Sequence, residues 1–148
     1  MKTWKKIAAS AGVLGALLGG SLLTAAPASA ADLHSCPSGY SCSWKDANFT
    51  SGGSTANSVD LEFYIPNYRV GHSYGSVGAN DQASSVVNNG NSESSYWYRD
   101  AYQGDYAFPL ATKQSDSNLG DGSGYGKSGN NDKISSTYFA SCLNSGCV

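Results

Sequence analysis

The sequence predicts an all-β fold. No segment keeps a helical period of apolar residues for even three turns. Short runs rich in Tyr, Trp, Val and Phe instead alternate with clusters of Gly, Asn, Ser and Asp, which is typical of short strands joined by turns. A third observation is a set of landmarks that occurs once in each half of the chain. It predicts two similar β-motifs within one domain.

The domain is expected to follow a signal peptide at residues 1–30. Three lysines precede an apolar stretch, and Ala28-Ser29-Ala30 forms a small-residue cleavage site. Residues 31–148 then suffice for one domain with a modest core. Without those three lysines the domain keeps six basic and eleven acidic residues, a formal charge of −5. We therefore expect an extracellular protein, monomeric, with neither nucleic acid nor an anionic membrane as partner.

Six runs are candidate strands, because each is rich in β-branched or aromatic residues and is bounded by turn residues. They are residues 41–45, 58–64, 84–87, 95–99, 106–110 and 134–139. The polar segments 88–95 and 115–130 are predicted loops, and the second is long enough to be mobile.

Four cysteines, Cys36, Cys42, Cys142 and Cys147, follow the predicted cleavage site. An even number in an exported chain favours disulfides. Three connectivities are possible; Cys36–Cys42 with Cys142–Cys147 is favoured because each pair brackets its own turn sequence, PSG or NSG. Zinc is the alternative, but the spacing is a poor match and only His34 lies near a pair.

The landmarks of the two halves comprise an aromatic pattern and an Asn-Asp-x-x-Ser-Ser pattern. The aromatic pattern places Trp44, Phe49 and Gly52 against Trp97, Tyr102 and Gly104, and the second pattern reads "NDQASS" at 80–85 and "NDKISS" at 131–136. In a Greek key, the aromatic residues would pack at the corner of a folded hairpin and the glycine would turn the chain with positive φ. We therefore expect the four aromatic residues at matching corners.

The Asn-Asp-x-x-Ser-Ser segments offer carboxylate, hydroxyl and carbonyl oxygens. These are hard ligands of the kind that calcium accepts in a tolerant geometry. The structural alternative is that Asn and Asp fold the loops by side-chain-to-backbone hydrogen bonds while the serines cap strand entry.

The segments "CPSGYSCSWKDANF", "NDQASSVVN" and "NDKISS" together resemble the βγ-crystallin superfamily, and more closely the secreted actinobacterial proteins of peptidase inhibitor family I36. The resemblance covers Cys36 to Thr137. It implies one β-sandwich of two Greek keys, no enzymatic activity, bound Ca²⁺ and a secreted metalloprotease as partner. The calcium ligands that it implies are Asp81, Gln82 (carbonyl) and Ser84, and Asp132, Lys133 (carbonyl) and Ser135.

The resemblance leaves the inhibitory loop unassigned. Inhibition in this family relies on a rigid loop braced by a disulfide with a cysteine in the middle of the chain, and here no cysteine lies between Cys42 and Cys142. Residues 88–95 are the first candidate, because a strand flanks each end. Residues 116–129 are the second, because a flexible loop loses entropy on binding.

Three alternative functions arise from the sequence. "GHSYG" fits a hydrolase motif with Ser73 as nucleophile, but that motif needs a strand-to-helix turn and His72 lies within it. "GSGYGKS" at 122–128 is one residue short of a phosphate-binding loop. Ten tyrosines could form a carbohydrate-binding face, although most are expected in the core or in cross-strand pairs.

The main alternative to inhibition is a calcium-binding βγ-crystallin module with a structural or surface-binding role.

Overall fold

The computed structural model describes residues 33–124, 129–145 and 147. The predicted signal peptide, the last four residues of "GSGYGKS" and Gly146 of the C-terminal turn lie outside the described residues. Among the residues described, none belongs to a helix with the length and apolar character needed to cross a membrane.

The described residues form ten short strands and one 3₁₀-helix, so the all-β prediction is confirmed. All the strand pairings are antiparallel. The strands are β1 (Ser41–Trp44), β2 (Val59–Leu61), β3 (Tyr64–Ile65), β4 (Ser73–Tyr74), β5 (Val77–Gly78), β6 (Ser85–Asn88), β7 (Ser95–Tyr98), β8 (Tyr106–Leu110), β9 (Ser115–Asp116) and β10 (Ser136–Phe139), and the 3₁₀-helix is Ala140–Ser145.

Two four-stranded sheets contain eight of these strands. Their orders are β2-β1-β6-β9 and β3-β10-β7-β8, and β4 and β5 form a separate hairpin. The first motif therefore consists of β1, β2, β3 and β6, and the second of β7, β8, β9 and β10. Each motif gives its third strand to the sheet of the other, β3 to β10 and β9 to β6. Because each sheet contains strands from both halves, the two Greek keys form one sandwich.

The six predicted strands are all present; β8 coincides with the predicted run 106–110, and the others have shifted ends. The run 58–64 divides into β2 and the start of β3, since two residues of bend separate them. The strands that sequence analysis missed, β4, β5 and β9, each have two residues. Such strands are too short to show an alternating pattern. β9 lies within the segment predicted as a loop, where Asp116 pairs with Val86 of β6.

The central core lies between the two sheets. Trp97 and Phe108 stack there with ring centroids 6.0 Å apart. Alternate side chains of a strand point to opposite faces, so each sheet also has an outer face. On the outer face of the first sheet, Trp44 and Val87 pack with the Cys36–Cys42 disulfide. On that of the second sheet, Tyr98 and Tyr138 pack with Cys142.

The expectation that Trp44 and Trp97 occupy equivalent positions in the two motifs is wrong. Trp44 O accepts a hydrogen bond from Ser84 N at 2.8 Å, and the matching acceptor for Ser135 N is Tyr98 O, at 2.9 Å. The strands thus correspond at an offset of 54 residues, one more than the aromatic pattern indicated. A shift of one residue moves a side chain to the other face of its strand, so Trp97 lies in the central core.

The predicted corners also differ in their second aromatic residue and in their glycine. Phe49 packs against the outer cluster, whereas Tyr102 is 71% exposed, so its expected packing is wrong. Gly52 has the expected φ of +61°. Gly104 does not have positive φ; a Cβ there would approach the Asp100 Cβ to 2.8 Å. The left-handed positions belong instead to neighbours such as Tyr102 (φ 57°).

Both predicted disulfides are confirmed. Cys36 is bonded to Cys42 and Cys142 to Cys147. No free cysteine is left among the described residues, so the zinc alternative has no thiolate ligand. Each bridge closes a short loop and contributes about 2 kcal/mol by restricting the unfolded chain.

Candidate functional site

The two Asn-Asp-x-x-Ser-Ser segments meet each other at one end of the sandwich. Ser135 Oγ donates a hydrogen bond to Asp81 Oδ1 at 2.8 Å, and Ser84 Oγ donates to Asp132 Oδ1 at 3.2 Å. Two backbone bonds accompany them, Asp81 N to Ile134 O and Asp132 N to Ala83 O, both at 3.0 Å. Each segment therefore completes the hydrogen bonding of the other and joins the two motifs.

This exchange regroups the ligands that the resemblance implies. Asp81 lies with Ser135 and Asp132 lies with Ser84, so each cluster takes its serine from the opposite motif. Gln82 and Lys133, expected to offer carbonyl oxygens, follow Asp81 and Asp132 in their loops, and Gln82 Nε2 bonds back to Asp81 O at 2.8 Å. The sequence groups ligands by motif, whereas the fold groups them across the two motifs.

The oxygen atoms around Asp81 have the chemistry of a calcium site. Asn80 Nδ2 donates to Asp81 Oδ2, whereas Asn80 Oδ1 is buried and has no hydrogen-bond partner. A buried oxygen without a donor is costly, and a cation beside it would remove the cost. The described residues contain no cluster of three or more His, Cys, Asp or Glu side chains fit for a metal. A cation here would therefore depend on neutral oxygens as well as carboxylate.

A cleft of about 600 Å³ opens beside these clusters. Four aspartates and three basic side chains line the cleft. They are Asp81, Asp100, Asp105, Asp132, Arg69, Arg99 and Lys133. The other lining residues are Asn67, Asn80, Ala101 and Ser135. The three cations nearly balance the four carboxylates, which lowers the attraction for a divalent cation. The oxygen atoms are of the kind that calcium accepts, and the near balance of charge offers a divalent cation little net attraction.

The second serine of each segment holds a folded hairpin, a role that sequence analysis missed. Ser85 Oγ donates to Asp46 O at 2.7 Å and accepts from Phe49 N at 3.1 Å. Ser136 Oγ donates to Asp100 O at 2.7 Å and accepts from Gln103 N at 3.4 Å. The doubled serine thus serves two structures: the first hydroxyl joins the motifs and the second braces a hairpin. The Ser-Ser pair that both segments share was the sequence signal that could have indicated this second role.

The hairpin of the second motif, residues 99–105, is braced and exposed. Arg99 forms a salt bridge with Asp105 at 2.9 Å, and Arg99 N bonds to Asp105 O at 2.9 Å. Tyr102 N bonds to Pro66 O at 2.7 Å, which fixes the tip. The Tyr102 side chain is the most exposed of the large hydrophobic side chains described.

The first candidate for the inhibitory loop, residues 88–95, is braced by hydrogen bonds and half-buried. Asn88 Nδ2 donates to Glu93 O and Leu110 O, and Asn89 Nδ2 donates to Cys36 O. These amides replace the disulfide brace that the resemblance implied. Within this segment the exposed residues are Asn91 and Ser92, beside a groove of about 400 Å³.

The second candidate loop, 116–129, is described as far as residue 124 and again at 129. Side-chain-to-backbone turns shape its first part, since Asp116 Oδ1 accepts from Asn118 N at 2.9 Å and Asp121 Oδ1 from Ser123 N at 2.8 Å. The two hydrogen bonds from Ser123 lower the pKa of Asp121. The remainder of this candidate lies outside the described residues.

Ser73 and His72 lie in an environment unlike that of a hydrolase. Ser73 is an exposed residue of β4, which turns directly into β5. His72 lies against the Tyr68 ring, with centroids 6.0 Å apart, and burial lowers its pKa. No helix follows β4, so the strand-to-helix turn that this motif requires is missing from the described chain.

Comparison with protein families identifies the chain. The profile of peptidase inhibitor family I36 matches residues 29–108, more than half of the sequence. The chain belongs to peptidase inhibitor family I36. This membership indicates a binding protein with a peptidase partner rather than an enzyme. A comparison with curated proteins found no match.

Solved structures show the same fold for this I36 chain. A structure reported on the evolution of the eye-lens βγ-crystallin domain fold matches with a TM-score of 0.53 and 22% identity, over 71% of this chain and 89% of the other. A βγ-crystallin from Ciona intestinalis matches with a TM-score of 0.50 and 22% identity, over 68% and 99%. The predicted crystallin-like sandwich of two Greek keys is confirmed.

Proposed function

We propose that this chain is a secreted, monomeric inhibitor of metalloproteases that contacts its target through the hairpin 99–105. The observation that carries the proposal is the hairpin itself: in a member of an inhibitor family, a braced loop presents a Tyr102 side chain that is 71% exposed. The lysine-rich, apolar N-terminal sequence and the two disulfides support secretion.

The physical argument rests on preorganisation. A loop that is already ordered loses little entropy when it binds, so more of the contact energy becomes affinity. The Arg99–Asp105 salt bridge and the Ser136 hydroxyl hold the two sides of the hairpin, and the Pro66 carbonyl holds its tip. Tyr102 would then act as an aromatic anchor in an apolar subsite of the peptidase.

The segment 88–95 is a weaker candidate because it exposes less surface. It is equally well braced, but its buried asparagines serve the scaffold and leave Asn91 and Ser92 as its exposed surface. Replacing the whole segment by Gly and Ser would remove the Asn88 and Asn89 bonds and unfold the region. The double variant Asn91→Ala with Ser92→Ala changes the tip alone.

The test is titration of the purified chain against secreted metalloproteases, including a zinc enzyme of the thermolysin class, with serine proteases as the control. We expect stoichiometric inhibition of at least one metalloprotease. Tyr102→Ala should raise the inhibition constant by tenfold or more, on the order expected for an aromatic anchor, whereas the Asn91→Ala, Ser92→Ala variant should not. Inhibition confined to serine proteases would refute the metalloprotease assignment.

We also propose calcium binding at the interlocked Asp-Ser clusters, which the partnerless Asn80 Oδ1 supports. When bound, calcium would supply positive charge to oxygens of Asn80, Asp81 and Ser135. A site with a dissociation constant of about 10⁻⁴ M would stabilise the fold by about 1.4 kcal/mol in millimolar calcium.

This second proposal is tested by melting curves in calcium and in EDTA. Calcium should raise the melting temperature by about 5 °C, and Asp81→Ala should remove most of that rise. Asp60→Ala, at an exposed position of β2, is the matched control and should keep it. Equal melting temperatures of the wild type in both solutions would make the clusters purely structural.

A further inference from the structure

The outer face of the second sheet carries five tyrosines on its four strands. Tyr138 of β10 lies opposite Tyr64 of β3 on one side and Tyr96 of β7 on the other. Tyr98 of β7 lies opposite Tyr106 of β8. We call this surface, formed by Tyr64, Tyr96, Tyr98, Tyr106 and Tyr138, the tyrosine face.

The rings of the tyrosine face hold one another in place. Tyr64 stacks on Tyr138 with centroids 5.7 Å apart, and Tyr98 makes edge contacts with Tyr138 at 5.9 Å and Tyr106 at 5.7 Å. The two inner rings, Tyr98 and Tyr138, are buried, whereas Tyr64 and Tyr106 are 41% and 49% exposed. Side chains fixed in this way provide contact area at a low cost in conformational entropy.

The tyrosine face is uncharged at its centre. Burial is the main cause that raises the pKa of Tyr98, Tyr106 and Tyr138, and neighbouring tyrosines add to it. Charges occur at the border, in the Arg99–Asp105 pair. An aromatic centre with a charged border is the arrangement of a protein–protein interface.

The tyrosine face is continuous with the hairpin 99–105. The hairpin leaves β7 directly after Tyr98 and enters β8 directly before Tyr106. Burial raises the pKa of Tyr138 and the nearby Gln103 side chain opposes that rise, so the hairpin lies beside the centre of the face. Tyr102 and the tyrosine face therefore belong to one surface.

A protein fits this surface better than a polysaccharide. Sugar rings stack on open aromatic faces, but Tyr64 and Tyr138 cover each other and Tyr98 lies edge-on to its neighbours. A stable protein complex buries about 800 Å² on each partner, more than one hairpin tip provides, and tyrosine is enriched among residues that dominate such interfaces.

We propose that the tyrosine face is a second contact surface for the inhibited peptidase, which binds the enzyme beside its substrate cleft while the hairpin occupies the cleft. This inference rests on the proposed inhibitory function. Its energetic contribution comes from Tyr64 and Tyr106, the exposed rings on the two edge strands of the sheet.

The test measures inhibition constants and dissociation rates of Tyr64→Ala and Tyr106→Ala against a thermolysin-class enzyme. Val77→Ala, whose side chain is 40% exposed on β5, is the matched control. We expect each tyrosine variant to raise the inhibition constant about tenfold, mainly through faster dissociation, and Val77→Ala to leave it unchanged. Tyr64→Phe and Tyr106→Phe keep the ring packing and should retain most of the affinity, which separates lost contact from lost folding.

The outcomes distinguish this inference from the proposed function. If the wild type inhibits, Tyr102→Ala weakens inhibition and both tyrosine-face variants match the wild type, the second contact surface is refuted and the inhibitor assignment stands. If the wild type inhibits no peptidase, both fail. Retention on chitin or cellulose that Tyr106→Ala abolishes, without an effect on inhibition, would assign the face to a polysaccharide and overturn the inference.

Discussion

The two Greek keys contain the same folded hairpin, but the two hairpins differ in how their side chains are covered. Asp46 and Asp100 receive the same serine bond, and residues 48 and 102 occupy the same left-handed position. In the first motif the N-terminal disulfide segment covers the hairpin, because His34 stacks on Phe49 with centroids 4.0 Å apart. In the second motif Tyr102 extends into solvent. The backbone brace is shared, and the two hairpins differ in which side chains they carry and in how those side chains are covered.

The outer faces of the two sheets show the same contrast. Cys42 of β1 occupies the position that Tyr96 takes in β7, at the offset of 54 residues. On the first sheet the Cys36–Cys42 loop packs onto Trp44 and closes the face. On the second, the Cys142–Cys147 segment packs against Tyr98 and Tyr138 but leaves Tyr64 and Tyr106 exposed.

The largest expected effect tests which aromatic residue of β7 corresponds to Trp44. Trp97→Ala removes a fully buried ring from the central core and should lower the free energy of unfolding by about 4 kcal/mol. Tyr98→Ala removes an outer-face ring and should cost about half as much. Urea denaturation measures both, and a larger loss for Tyr98→Ala would contradict the assigned register.

The next effect compares the two hairpin serines. Ser85→Ala and Ser136→Ala each remove one donor and one acceptor and should each cost about 2 kcal/mol, because the hairpin backbone is left without its partners. Only Ser136→Ala should also weaken inhibition, since it loosens the exposed hairpin. Equal weakening by both variants would show that inhibition follows general stability rather than the second hairpin.

A smaller effect, on the pH dependence of stability, distinguishes the two loops that lead to the last strand of each motif. Tyr68 and Leu119 occupy matching core positions, for Tyr68 N bonds to Ser135 O and Leu119 N to Ser84 O. Burial raises the pKa of Tyr68 to about 12, whereas tyrosine in the unfolded chain titrates near 10. The folded chain therefore keeps a proton that the unfolded chain loses.

The direction of the change in stability with pH follows from this difference in the pKa of Tyr68. The stability contributed by neutral Tyr68 is complete below about pH 10 and falls by up to about 1.4 kcal/mol per pH unit as the pH rises towards 12. Tyr74 shifts in the same direction and adds to the slope. Urea midpoints between about pH 9 and about pH 11 should decline for the wild type and less steeply for Tyr68→Phe. A slope that Tyr68→Phe leaves unchanged would remove Tyr68 as its source.

The sequence predicted the longer strands and the disulfides because these depend on local patterns: aromatic runs, turn residues and nearby cysteine pairs. The sandwich was implied by the family resemblance. The sequence could not predict the exchange of Ser84 and Ser135 between clusters, which depends on how the motifs pair. The one-residue error at Trp97 arose because an aromatic spacing does not specify which face of a strand a side chain occupies. Exposure of Tyr102 was hidden by the same error, since the aromatic spacing matches Tyr102 with the packed Phe49, whereas the fold matches it with the exposed Asn48.

The comparison of the two hairpins is tested most directly by substitutions at one matched position. Asn48→Ala and Tyr102→Ala change the exposed left-handed residue of the first and the second hairpin. Inhibition of a thermolysin-class enzyme should be measured for both, with melting curves to confirm folding. The account predicts an unchanged inhibition constant for Asn48→Ala and a rise of about tenfold or more for Tyr102→Ala. The account would be contradicted if Asn48→Ala lost inhibition while Tyr102→Ala inhibited the enzyme as strongly as the wild type.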